Sequence, residues 1–331
     1  MTSALFGHTG FVGGNLLASH PFDDLFNSAN SSDSTGRQYD LVVFAAAKAT
    51  KWLINQDPLS DLRHIEELEA LVTGVRARRF VLISTIDVYK TPVNVDENTV
   101  IDTTGLHPYG AHRYRLEQTV REAHPGALIV RLPGLFGPGL KKNVVFDLLH
   151  DNNVDRIHED GTFQYYNVRR LWADVTVALD RGLEQVNLSS APIRTGDLAR
   201  RAFGLDFHNR PDVTPGSYDM RTVHASAFGE TGVYTHSQER TLTEMAEFVQ
   251  AEQEMLCGSQ YRTSAGSPRT NNPSRTPCNG SACVMSRSRR RRSSPTPLRR
   301  PARNASSTSS SGQIGDCRSS PSSRCSSAVP S

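Results

Sequence analysis

The chain opens with a short apolar run, Ala4-Leu5-Phe6, and passes directly into Gly7-His8-Thr9-Gly10-Phe11-Val12-Gly13. A strand that ends in a glycine turn and re-enters the chain as a helix leaves backbone N–H groups unpaired at the helix start, and those groups attract phosphate. Each glycine has its own task in such a turn. The first bends the chain sharply off the strand, the second lets the backbone approach a pyrophosphate, and the third packs helix on sheet. A nucleotide cofactor is therefore the first expectation. The spacing alone also occurs in purely structural turns, so its place immediately after an N-terminal strand carries much of the argument.

The next 150 residues alternate in a way that agrees with this beginning. Leu41-Val42-Val43-Phe44, Phe80-Val81-Leu82-Ile83 and Leu128-Ile129-Val130 are continuous apolar runs of the kind found in strands covered on both faces. Between the first two, Leu62, Ile65, Leu68, Leu71 and Val75 recur at helical spacing behind an Asp57-Pro58 cap. A second helix is predicted from Pro108 to about Ala123. This pattern predicts an α/β protein with a doubly wound parallel sheet and ligands at the carboxyl ends of its strands. Beyond Gly139 the pattern predicts helices at 144–149, 171–179, 197–203 and 242–249 with one short strand, Val186-Asn187-Leu188. Residues 140–255 are read as a small substrate lobe.

Charge divides the chain near Cys257. Residues 257–331 hold 13 of the 37 Lys and Arg, one of the 34 Asp and Glu, and all five cysteines, so the tail carries +12 and the body −9. Irregular cysteine spacing without a CxxC pair argues against a zinc ribbon or a disulfide framework, and no metal is expected. The Arg/Ser/Pro-rich composition of 256–331 predicts disorder, or a segment translated in a shifted frame. Nucleic-acid binding through Arg287–Ser294 is the weaker reading, because the aromatic residues that stack on bases are missing. With no charged leader, no long apolar stretch and a cysteine-free body, the expectation is a cytoplasmic protein without a membrane span.

Four segments in order resemble the extended short-chain dehydrogenase/reductase family, the NAD-dependent epimerase/dehydratase group, over about residues 1–255. They are the glycine motif, Phe44-Ala45-Ala46-Ala47, Ser84-Thr85-Ile86-Asp87-Val88-Tyr89, and Arg131-Leu132-Pro133-Gly134-Leu135-Phe136-Gly137-Pro138-Gly139. The resemblance implies a Rossmann-like domain and a cofactor held by Gly7, Thr9, Gly10, Phe11, Val12, Gly13, Ala45, Ala46 and Pro133. It implies hydride transfer on a sugar or nucleotide-sugar-like substrate and, as in many family members, a homodimer. The family's Tyr-x-x-x-Lys signature is matched by Tyr109-Gly110-Ala111-His112-Arg113, with arginine in the lysine position.

In this reading Thr85, Tyr109 and Arg113 form the catalytic set, with Tyr109 and Arg113 also touching the cofactor. Thr85 would bind the substrate oxygen and Tyr109 would exchange its proton. A phenol must lose about three pKa units, or roughly 4 kcal/mol, to act as a base near neutrality. Arginine shares one helix face with Tyr109 but is planar and cannot exchange its proton, so it does not simply replace lysine. Asp87, Lys141 and Lys142 are the substrate-binding candidates, though Asp87 also suits a turn cap and the lysine pair a solvated loop. Lys48 and Lys51 could reach a phosphate, or could equally be solvated loop lysines. His107 and His112 read as surface histidines.

The cofactor is NAD or NADP. Asp33 has the separation from the glycines expected of the acid that selects NAD, and no arginine precedes Arg37, which inclines the reading to NAD. A second hypothesis is a cofactor-binding protein of the same fold whose catalysis is lost or weakened.

Overall fold

A computed structural model describes residues 1–264, with side chains to Cys257. The arginine-rich run and the later cysteines lie outside the described residues, and with them the expectation of a disordered tail. Strand β1 (Ser3–Phe6) enters the glycine turn and helix α1 (Phe11–Ser19), followed by β2 (Asp24–Phe26) and β3 (Gln38–Phe44). Helices α2 (Lys51–Gln56) and α3 (Pro58–Gly74) lead to β4 (Arg76–Thr85). After β5 (Val93–Val95), helix α4 (Pro108–Ala123) crosses to β6 (Leu128–Leu132). Then follow β7 (Gly134–Phe136), α5 (Val144–His150), β8 (Thr162–Phe163), β9 (Tyr165–Asn167), α6 (Leu171–Asp180) and β10 (Gln185–Asn187). The series ends with β11 (Ile193–Arg194), α7 (Thr195–Phe203), β12 (Asp219–Met220) and α8 (Gln238–Ser264).

Six strands pair in parallel in the order β2-β1-β3-β4-β6-β10. Side chains alternate across each strand, and here both sets are apolar. Ala4, Phe6, Val42 and Phe44 face one way, against Ile65, Leu68 and Val72 of α3 and Leu116 and Val120 of α4. Leu5 and Val43 face the other way, against Leu16 of α1 and Leu171, Val175 and Ala178 of α6. Continuous apolar runs are the sequence trace of this double cover. The chain leaves β1 in one direction and returns through β3 in the other, so the carboxyl ends of these two strands open a crevice.

The Asp57-Pro58 start of α3 is built as its sequence suggests, with Pro58 at the first helical position and Asp57 accepting a hydrogen bond from Ser60 N–H at 3.2 Å. Asp57→Ala is expected to cost about 1 kcal/mol, read as a lower urea midpoint at unchanged slope.

Beyond Gly139 the chain divides between two cores. Helix α6 and β10 complete the main sheet, with Gln185, Val186 and Asn187 registered on Ile129, Val130 and Arg131. The strand expected inside the lobe is thus an edge of the Rossmann-like sheet, placed there by the parallel crossover through α6. The separate lobe core gathers Phe136, Val145, Tyr165, Ile193, Leu198, Phe203, Leu242, Met245 and Phe248. Helix α8 continues unbroken past residue 255. Among the described residues no helix is long and apolar enough to cross a membrane, and no group of three or more His, Cys, Asp or Glu could hold a metal ion.

Candidate functional site

The glycines after β1 occupy unlike places. Gly7 turns at φ +82°, and a Cβ there would stand 2.4 Å from the Ala45 carbonyl oxygen. A Cβ on Gly13 would stand 2.1 Å from the Gly7 oxygen, so the third glycine lets α1 pack down on the loop. Gly13 accordingly sits behind the crevice wall, while Gly7, Thr9, Gly10, Phe11 and Val12 line it. Gly10 is the N-cap of α1 and offers no side-chain cap, so the first N–H groups of the helix are left for a ligand. Asn15 ties this helix to the Gly-Pro-Gly turn, donating to Phe11 O at 2.8 Å and to Pro138 O at 3.0 Å.

The crevice encloses about 1940 Å³ and continues past Ala45, Ala46 and Pro133 to Thr85, Asp87, Tyr109, Arg113, Lys141 and Lys142. Tyr109 enters from the first turn of α4, whose proline start and His107 cap fix its direction; Gly110 N–H donates to His107 Nδ1 at 3.0 Å. The Tyr109 N–H, left over at a helix start, donates to Asn55 Oδ1 of α2 at 3.1 Å. Burial pushes the Tyr109 phenol above its ordinary pKa, while Arg113 and the Thr85 hydroxyl pull it back and Asp87 pushes it further up.

Arg113 stacks under the ring, its guanidinium carbon 4.6 Å from the Tyr109 centroid. The guanidinium is already engaged: it donates to Asp61 Oδ2 at 2.5 Å and to the Lys48 carbonyl. His112 shares the same carboxylate oxygen at 2.8 Å. Burial alone would raise the Asp61 pKa, but hydrogen bonds from Arg113 and His112 outweigh it and hold the carboxyl below its usual value. Arg113 therefore presents its charge to the face of the phenol ring while a buried carboxylate balances it.

Asp87 is held by the Lys51 ammonium at 2.6 Å. Burial works against the Lys51 charge, yet Asp87 and Tyr218 raise its pKa above the ordinary lysine value. Lys142 donates to the Ala49 carbonyl across the crevice mouth, and Lys141 is exposed beside it. Asp33, in contrast, is exposed on a single 3-10 turn at 31–34 and is not part of the lining. Asn27, Ser28 and Ser31 line the crevice after β2 instead.

No protein-family model matches the chain, and no curated protein matches it in sequence. Solved structures do match its fold. MoeE5 in complex with UDP-glucose and NAD has 18% identity and a TM-score of 0.55, covering 76% of this chain and 99% of that one. The NAD-dependent NDP-hexosamine 5,6-dehydratase TunA has 19% identity and a TM-score of 0.57, with 76% and 98% covered. RMD from Pseudomonas aeruginosa complexed with NADPH has 17% identity and a TM-score of 0.59, with 77% and 99% covered. The chain shares their Rossmann-like α/β fold.

Several residues that shape the site within this Rossmann-like fold carry no motif. Asp61, Asn55 and Lys51 are among them, as is Glu117 on the buried face of α4. Glu117 is fully buried and takes a two-pronged bond from Arg131, Nε at 3.0 Å and Nη2 at 2.6 Å, while Ser84 Oγ donates to it at 2.5 Å. Burial would lower the Arg131 pKa, and Glu117 more than reverses it. Arg131 also donates to the Tyr89 hydroxyl at 2.8 Å. So Arg131 and Glu117 of the buried ion pair hold the end of β4 from behind through the Ser84 hydroxyl, and Ser84 and its neighbour Thr85 both line the crevice. His107 and His112 are likewise structural, as a helix cap and an Asp61 partner. Glu117 falls among the buried positions Arg113, Leu116 and Val120 of α4, and no motif marks it.

Proposed function

We propose that the chain is an NAD(P)-dependent oxidoreductase or epimerase acting on a sugar nucleotide, with Tyr109 as its acid/base group. One observation carries this reading: a single crevice joins the uncapped helix start at Gly10 to Thr85 and Tyr109. The lining adds to it, with Lys48, Lys51, Lys141, Lys142, Arg113 and Arg169 against Glu67 and Asp87, in a body whose sequence charge is −9. A cationic cleft in an anionic body suits ligands that carry several phosphates, because low-dielectric walls focus the local field. The structural neighbours named above include complexes with a nicotinamide cofactor and with UDP-glucose, which agrees with that choice.

The residues fit such a pair of ligands. Backbone N–H groups at Phe11 and Val12 would hold a pyrophosphate, and Ala45, Ala46 and Pro133 would allow close approach of the dinucleotide. When bound, the nicotinamide accepts or returns a hydride at the substrate carbon. Thr85 would orient the substrate oxygen, and Tyr109 would give it a proton or take one from it. Lys141 and Lys142 at the mouth would meet substrate phosphate, while the Asp87–Lys51 pair would hydrogen-bond the sugar.

Because burial holds the phenol above its usual pKa, Tyr109 is protonated near neutrality and ready to donate, which serves reduction directly. Oxidation needs the deprotonated form, so its rate should climb as pH rises toward the alkaline range, while reduction should stay level and then fall. Parallel pH profiles of the two directions check this; an oxidation rate flat across that range removes Tyr109 as the titrating base.

The engaged Arg113 favours one further reading, a dinucleotide-binding protein with weakened chemistry. To separate the two, purified protein is denatured and the released cofactor identified by mass spectrometry, then a panel of sugar nucleotides is incubated with oxidised and reduced cofactors. Turnover of any of them supports the enzyme; bound cofactor with no turnover favours the second reading.

A further inference from the structure

We infer that the cofactor pocket accepts NAD and NADP with little preference, because the residues that meet the adenosine ribose form a neutral, locked turn. This inference rests on the reading that the crevice takes a dinucleotide. In a doubly wound fold, the 2′ position of that ribose lies at the carboxyl end of the second strand, where an acid selects NAD and an arginine selects NADP. Here β2 ends at Phe26, and the chain continues Asn27-Ser28-Ala29-Asn30-Ser31 with no charged side chain. Asn27, Ser28 and Ser31 line the same crevice as the glycine loop.

The turn is rigid by its own hydrogen bonds. Asn27 Oδ1 accepts from Ala29 N–H at 2.8 Å, and Asn30 Oδ1 accepts from Asn27 N–H at 2.8 Å. Asn30 Nδ2 closes the loop on the Leu25 carbonyl at 3.0 Å. Both asparagine side-chain oxygens are thus engaged, whereas the Ser28 and Ser31 hydroxyls have no hydrogen-bond partner among the described residues. A serine hydroxyl can accept from a ribose 2′-OH or donate to a 2′-phosphate, so neither cofactor leaves an unpaired polar group behind.

The nearby charges that would decide between them offset one another. Asp24 accepts from Arg37 at 2.9 Å and from the Tyr39 hydroxyl at 2.6 Å. Arg37 gives its Nη1 to that carboxylate and lies over the Phe26 ring, half exposed to solvent, so its charge is offset by Asp24 and screened by water. Asp33 lies beyond the turn, exposed to solvent, where water and salt weaken its repulsion. With neither repulsion nor a dedicated partner, the two cofactors differ at this position only by a solvated phosphate.

The test is calorimetric titration of the full chain with NAD+ and with NADP+, followed by the same pair of titrations on Ser28→Asp. Dissociation constants within about tenfold of each other for the wild type are the expected result. A larger preference for either cofactor overturns the inference but leaves the dinucleotide reading standing. Binding of neither overturns both. In Ser28→Asp, NADP+ should weaken by at least about tenfold relative to NAD+, since a carboxylate then faces the 2′-phosphate. If the ratio does not move, the 27–31 turn is not the ribose site and the inference fails.

Discussion

Replacing Tyr109 by phenylalanine is expected to lower turnover by about 10²–10⁴-fold, the range typical of a lost general acid or base, with cofactor affinity nearly unchanged. The substitution removes one oxygen and little else. The Tyr109 ring is buried and stacked on Arg113 at 4.6 Å, and phenylalanine keeps both contacts. The Asn55 bond is to the backbone N–H and survives as well. A fall in kcat with unaltered NAD(P) binding and an unaltered thermal midpoint would therefore isolate proton transfer. Steady-state kinetics on whichever sugar nucleotide the wild type turns over, together with calorimetric binding, make the comparison. Full activity in Tyr109→Phe would remove the proposed mechanism outright.

The parts of this site that could be read from sequence are those fixed by local rules. Gly7, Gly10 and Gly13 declare themselves because turn, close approach and helix packing follow one another within seven residues. The Asp57-Pro58 cap and the start of α4 at Pro108 are local for the same reason, and the helix ends fall where proline and cap residues put them. The contacts that adjust the chemistry are not local. Asp61 and Arg113 are 52 residues apart, and Asn55 and Tyr109 are 54 apart. Nothing in the spacing of either pair says that they meet. Asp33 illustrates the converse. Its distance from the glycines along the chain is right, but the turn at 31–34 carries it out to solvent, and counting residues cannot see a turn. Val186 is a third case: a three-residue strand carries no mark of the sheet it joins, and only the crossover through α6 assigns it to the main one.

Glu117→Ala is expected to destabilise the protein by about 3–5 kcal/mol, the cost of leaving one partner of a buried ion pair alone. The pair is deep: the Glu117 side chain is 0% exposed and that of Arg131 is 3%. After the substitution, the Arg131 Nε and Nη2 groups and the Ser84 hydroxyl lose their acceptor together, and the small side chain leaves no polar atom in its place. Tyr89 cannot compensate, because its hydroxyl already takes the Arg131 Nη1 bond and donates to the Asp96 carbonyl at 2.7 Å. Glu117→Gln keeps an acceptor of the same size and should cost less than the alanine variant. The double variant Glu117→Ala, Arg131→Met removes both charges and should recover part of the loss, since an apolar pair no longer leaves an ion without a partner. Urea unfolding of the four proteins measures these differences as shifts in midpoint at a common slope. Because Ser84 precedes Thr85 on β4, Glu117→Gln should also reduce turnover in conditions where it is fully folded. A Glu117→Ala protein within about 1 kcal/mol of wild type would mean that the brace behind Thr85 is held by the apolar packing of β4 and β6 rather than by this ion pair.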